Sequence, residues 1–241
     1  MIVFTMTIIG LCYGSFINVL IYRLPNKISI VSPRSFCPHC KSKIPLFRNI
    51  PVISFIIQKG KCYDCNAKIS IQYPIVEILT GFLWFWAIYN IDSILNVSFS
   101  IVIINFLIPM AFIDAKYLKF SRKLMIPLIG FSILKMILSI MLYSDKMPLY
   151  GMITAIIFLT SIYWIVRIWF KIKGDKKNPM GYGDIILSIP LGIWLEPLGI
   201  LVCFFISSLF GLFIWLILYS IKNFSFNEKM PFGPYLIGSA I

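Results

Sequence analysis

Charge is what this sequence has least of. Only 13% of its 241 residues are Asp, Glu, Lys or Arg and 59% are hydrophobic, whereas a soluble domain carries about 25% charged residues. That deficit excludes a soluble globular protein and predicts an integral membrane protein. Acids are scarcer still: nine, against 22 Lys and Arg, giving a net charge of +13. Such a surplus suggests nucleic acid only where the basic residues gather on one soluble face, and here they do not. Twenty of the 22 fall in four segments that alternate with apolar runs: 23–72, KYLKFSRK, Arg167 to Lys177, and KNFSFNEK. By the positive-inside rule these loops are cytoplasmic and the N-terminus faces outward, so no nucleic-acid partner is expected. No positive charge precedes the first apolar run and no small-residue cleavage site follows it, which excludes a cleaved signal peptide. No internal repeat and no low-complexity tract is evident.

What the chain does have is apolar runs. About 20 such residues cross the hydrocarbon layer, and the pattern predicts helices near 1–22, 74–90, 94–113, 124–143, 149–169, 185–195 and 198–220, with a short last one from 232. The expected fold is an all-α polytopic membrane protein, a bundle of about seven to eight transmembrane helices with a small cytoplasmic zinc-binding domain between helices 1 and 2. Its divisions are 1–22, the first transmembrane helix; 23–73, the cytoplasmic domain; and 74–241, the helix bundle. The run 185–195 is too short to span alone and Glu196-Pro197 breaks it, giving either a re-entrant half-helix or one long segment kinked by proline.

Residues 23–73 are polar, basic and hold four of the six cysteines. Within them IPVISFII is too short to span and reads as a core or interfacial piece. A domain this small needs a disulfide or metal staple. Cys37 and Cys40 form one CxxC, Cys62 and Cys65 another; two knuckles of this kind can set four thiolates at the corners of a tetrahedron around zinc. Neighbouring lysines favour thiolate, and a reducing cytoplasm disfavours stable disulfides. Two redox-active CxxC motifs are the alternative. His39, the single histidine, is either a substitute ligand or an exposed side chain. Cys12 and Cys203 sit in apolar runs and read as small core residues.

The acids sort by position. Asp64, Asp145, Asp175 and Glu228 stand in loops beside basic residues, and Asp92 and Glu196 at outer turns. Glu77 opens the second helix, Asp114 ends the third, and Asp184 follows the turn GYG. The topology puts Asp114 and Asp184 at one depth on the cytoplasmic side. If the two carboxyls meet in a partly desolvated place they cannot both ionise, and one proton is shared. In such a pair the ionised acid takes a proton from water and the protonated one polarises a scissile carbonyl. The plainer alternative is that each acid neutralises a lysine or caps a helix, Asp184 being a good N-cap residue. Gly181 and Gly183 make an ordinary turn, or let a substrate backbone approach the acid without a Cβ in the way.

The motifs GSFINVLIYRLP at 14–25, the four-cysteine segment, FIDAKYLKFSRKLMIP, MGYGDI and PFGPYLIG at 231–238 follow one another in order. Together they resemble the type IV prepilin leader peptidase family along nearly the whole chain. The resemblance implies an intramembrane aspartic endopeptidase of the GxGD type, with Asp114 and Asp184 as catalytic pair and Cys37, Cys40, Cys62 and Cys65 as ligands of a structural zinc. It implies cleavage of the basic leader of prepilins or pseudopilins after Gly. For members with the four-cysteine segment it also implies N-methylation of the new terminus by S-adenosylmethionine. Asn18, Arg23 and Glu77 line the site or make structural contacts. Ile186 stands where the family has Lys, and Phe120-Ser121 where it has Ile-Pro.

The expected location is the bacterial plasma membrane, with the zinc domain and both aspartates on the cytoplasmic side and anionic lipids as further partners. The rival of another class is a membrane thiol-disulfide oxidoreductase using the two CxxC pairs. A channel or transporter needs polar residues recurring at mid-membrane depth; here the spans are almost free of charge apart from Lys135.

Overall fold

A computed structural model describes residues 1–91, 93–172, 181–222 and 230–241. Asp92, Asp175, Glu228, the basic stretch from Lys173 to Lys177 and most of KNFSFNEK lie outside the described residues. Among those described there are eight α-helices and no strand: α1 (Ile2–Arg23), α2 (Ile53–Ile57), α3 (Gln72–Asn90), α4 (Ile94–Tyr117), α5 (Arg122–Tyr143), α6 (Met147–Ile172), α7 (Tyr182–Lys222) and α8 (Gly233–Ala240). Five of them, α1, α4, α5, α6 and α7, are long and apolar enough to cross a membrane. Large apolar side chains such as Phe4, Leu134, Ile165, Phe205 and Leu212 stand exposed along these helices, a surface suited to acyl chains rather than water. The protein is a membrane protein.

The chain forms two compact units, Met1–Pro109 and Met110–Ile241, with the boundary at a proline inside α4. In the first unit α1 and α3 run antiparallel at close range. A Cβ on Gly14 would come within 2.7 Å of the Glu77 Cα, and one on Gly10 within 3.1 Å of the Gly81 Cα. Helices in lipid gain their contact from small residues spaced in this way, because burial of apolar surface drives nothing there. The Trp84 indole N–H donates to Asn105 Oδ1 of α4 at 3.1 Å.

Between α1 and α3 the four-cysteine segment builds two knuckles of one design. Cys37 N–H donates to Ser42 C=O, and Cys62 N–H to Ala67 C=O. The residue after the second cysteine, Lys41 or Asn66, takes a positive φ. An isolated bridge closes each turn, Phe36 with Lys43 and Lys61 with Lys68. FCPHCKSK and KCYDCNAK are therefore a short structural repeat, which corrects the expectation that the chain has none.

In the second unit α6 packs against both halves of α7. Gly192 meets Gly151 and Ala155, and Tyr182 lies on Tyr163, so the first half runs antiparallel to α6. Glu196, at φ 63 and ψ 179, lies against Gly151, and Phe204 stacks on Phe158, so the second half runs parallel to α6. The chain folds back at Glu196. Of the two readings left open by the sequence, this is the short half-helix with a turn. Beyond the turn, α8 returns alongside: Ser239 Oγ donates to the Cys203 C=O at 3.1 Å, and Gly211 lies beside Tyr235.

Candidate active site and metal centre

The sulfurs of Cys37, Cys40, Cys62 and Cys65 all lie within 4.8 Å of one another, with Cys37 and Cys65 at 3.9 Å. Zinc bonded to sulfur at about 2.3 Å sets tetrahedral edges of about 3.8 Å, so the cluster fits a tetrahedral ion with little movement. Hydrogen bonds from the Ser42 hydroxyl and Ser42 N–H lower the Cys40 thiol to about 6. Cys65 has the Ala67 N–H favouring its thiolate, yet desolvation and the sulfurs of Cys40, Cys62 and Cys37 push it up to about 12. Four thiolates this close repel one another, and a bound dication removes that conflict. His39 is exposed at the knuckle tip and is not among the four converging ligands.

Both aspartates belong to the second unit, Asp114 at 5% and Asp184 at 8% exposure, too buried to be solvated surface acids. Asp114 Oδ2 accepts the Gly233 N–H at 3.1 Å, across 119 residues of chain. Asp184 is not the N-cap of α7 but its third residue, since the helix opens at Tyr182. The Asp184 N–H donates to the Gly181 C=O at 3.1 Å, and the Gly181 backbone bonds its carboxylate in return. The carboxylate thus makes one half of a capping box, while glycine has no side chain to make the other. Capping uses only part of the carboxylate: Asp184 Oδ1 is buried without a hydrogen-bond partner among the described residues.

One aromatic ring joins this region. A Cβ on Gly183 would collide with Phe120, and one on Gly233 would lie 2.5 Å from Phe120 Cζ and 2.7 Å from Asp114 Oδ2. At Gly183 the missing Cβ thus makes room for Phe120, while a Cβ on Gly181 would stand 3.2 Å from Asp184 Oδ2. Sequence reasoning singled out the glycines beside Asp184 and noted Phe120 as a departure, but missed Gly233. Its place in PFGP, a glycine between two proline-bearing positions, was the available signal.

The remaining candidates lie in the first unit. Asn18 donates to Tyr73 C=O at 3.0 Å and Gly14 C=O at 3.3 Å; its Oδ1 is buried without a partner among the described residues. Arg23 donates to the carbonyls of Ser29 at 2.8 Å and Pro33 at 2.7 Å, fastening the start of the four-cysteine segment to the end of α1. Glu77 Oε2 accepts the Val52 N–H at 2.7 Å.

Fold and site define a class: a multi-helix membrane protein with a four-cysteine cluster that could hold a metal ion and two buried aspartates. Residues 8–91 match the bacterial peptidase A24 N-terminal domain and residues 101–216 the type IV leader peptidase family. The chain is 30% identical to a prepilin leader peptidase/N-methyltransferase of Dichelobacter nodosus, the match covering 97% of this chain and 88% of that protein. It is 30% identical to one of Neisseria gonorrhoeae, over 97% and 88%, and 29% identical to one of Pseudomonas aeruginosa, over 95% and 85%. The chain belongs to the type IV leader peptidase family. No solved structure matches it.

Proposed function

We propose that the protein is an intramembrane aspartic endopeptidase that removes the basic leader of type IV prepilin-like proteins after Gly, at the cytoplasmic face of the bacterial plasma membrane. The observation carrying this reading is the pair of buried acids on segments that meet at Phe120, Asp114 bonded to the Gly233 N–H and Asp184 Oδ1 unpartnered among the described residues. A carboxylate oxygen buried without a donor is costly, and a water held there for proton transfer explains it. Asp114 and Asp184 are the catalytic residues, sharing one proton: the ionised member takes a proton from the attacking water while the protonated member donates to the scissile carbonyl. Gly181 leaves the substrate backbone a path to Asp184, and Gly183 makes room for the Phe120 ring beside it. Asn18, Arg23 and Glu77 make structural contacts within the first unit, whose membrane helix and four-cysteine domain divide at residues 22 and 23, the bundle following from 74.

The four thiolates bind a structural zinc ion. Their convergence on one point favours this over two independent redox pairs, which need no common centre. The relatives' shared name supports a second activity, N-methylation of the new terminus with S-adenosylmethionine as donor; no residue is assigned to it. Anionic lipid headgroups hold the substrate's basic leader, at about 1 kcal/mol per basic residue, since the enzyme's own basic loops repel it. Incubating purified protein in detergent with a synthetic prepilin-type peptide tests the reading: mass spectrometry finds one cut after Gly, and an intact peptide refutes it.

A further inference from the structure

The short helix α2 presents its apolar side outward. Ile53, Ile56 and Ile57, spaced to share one helical face, are 54%, 66% and 74% exposed. Leu46 and Phe47, in the 3₁₀ turn just before it, are exposed by similar amounts. The inward side is fixed: Ser54 is buried and its hydroxyl accepts the Ile50 N–H at 2.9 Å, while the Gln58 amide donates to the Arg48 C=O at 3.3 Å. Residues 46–58 are thus one compact piece that shows aliphatic and aromatic side chains to its surroundings, with exposed Lys59 and Lys61 following it.

Its depth follows from Glu77. The carboxylate takes the N–H of Val52, the residue that opens α2. Glu77 sits against Gly14 of α1, and α1 continues from Gly14 for nine residues to Arg23, about 13 Å at 1.5 Å per residue. Those residues, SFINVLIYR, are largely apolar. The pinned end of α2 therefore stands well inside the level at which α1 leaves the hydrocarbon. A helix with a strong apolar face and basic neighbours lies in the interface with that face about 5–10 Å into the headgroup and acyl boundary.

We infer that residues 46–58 form a foot that dips into the bilayer interface, its isoleucine face among the acyl chains and Lys59 and Lys61 at the headgroups, held at that depth by Glu77. The foot holds the four-cysteine domain against the membrane. This inference is independent of the proposed catalytic pair.

The test places a benzoylphenylalanine photoprobe at Phe47 or at Ile56 of the full-length protein, reconstituted in phosphatidylcholine vesicles with about 30% phosphatidylglycerol as anionic lipid. Mass spectrometry then identifies the partner. Lipid adducts at both positions are expected, several-fold fewer in a Glu77→Ala background and restored in Glu77→Gln, whose amide oxygen still accepts the Val52 N–H. Adducts to protein peptides, or probes that remain unreacted, overturn the inference. Lipid adducts undiminished by Glu77→Ala overturn the role given to Glu77.

Discussion

Replacing Gly233 by Ala adds one methyl group where Asp114 and Phe120 leave no room for it. The new Cβ would stand 2.7 Å from Asp114 Oδ2 and 2.5 Å from Phe120 Cζ, whereas ordinary contact begins at 3.4 Å. Asp114 must then retreat by about 0.7 Å and the ring by about 0.9 Å, and the Gly233 N–H bond to Asp114 lengthens with them. Misplacement of a reacting group by about 1 Å costs on the order of 10²-fold in rate, which is about 2.7 kcal/mol in the barrier. Overpacking also lowers stability by about 1–3 kcal/mol. Gly238, on the same helix, is the control: a Cβ there meets nothing within 4 Å, and Ala is the better helix former by about 1 kcal/mol. Cleavage of a synthetic prepilin-type peptide by the purified variants, quantified by mass spectrometry, should show Gly233→Ala reduced about 100-fold and Gly238→Ala like the wild type. Equal cleavage by the two variants would refute the coupling between Gly233, Phe120 and Asp114.

The purified protein should carry one zinc; no zinc, with all four clustered thiols alkylated in the native state, would reject the metal centre. Chelation should raise hydrogen exchange in residues 24–71 and leave the membrane helices protected, since no clustered thiol lies in them. Moving the substrate's Gly three residues deeper into its apolar helix carries the bond about 4.5 Å past the aspartates and should stop cleavage; undiminished cutting would show the acids at another depth. Cleavage in vesicles should fall when phosphatidylglycerol is replaced by phosphatidylcholine, and unchanged rates would remove the lipid from substrate binding.

The helices were legible because an apolar run of this length has one stable conformation in lipid, where every backbone group must bond internally. The break at Glu196-Pro197 was legible too, but its outcome was not. Whether α7 kinks or folds back depends on α6, where Gly151 accepts the backbone of Glu196 at close range. Asp114 and Asp184 stood out because few acids occur in the chain, and both prove buried. Phe120 and Gly233 could not be added, because their contact with the acids joins three segments far apart in sequence. Glu77 was visible as an odd acid in an apolar helix, yet its partner is the bare N–H of Val52, and a backbone donor leaves no mark in a sequence. The two knuckles were legible in their cysteine spacing, but their common backbone design was not, because it lies in hydrogen bonds and φ angles.

The central claim is that Asp114 and Asp184 act as one unit on the peptide bond. Its most direct test is the cleavage rate of Asp114→Asn and Asp184→Asn, each purified with its zinc content and membrane insertion verified, beside Asp175→Asn. An amide keeps the shape and hydrogen-bonding size of the acid but cannot take or give the proton. The account predicts no detectable cut by either of the first two variants and wild-type cleavage by the third. Wild-type cleavage by Asp114→Asn or by Asp184→Asn would contradict it.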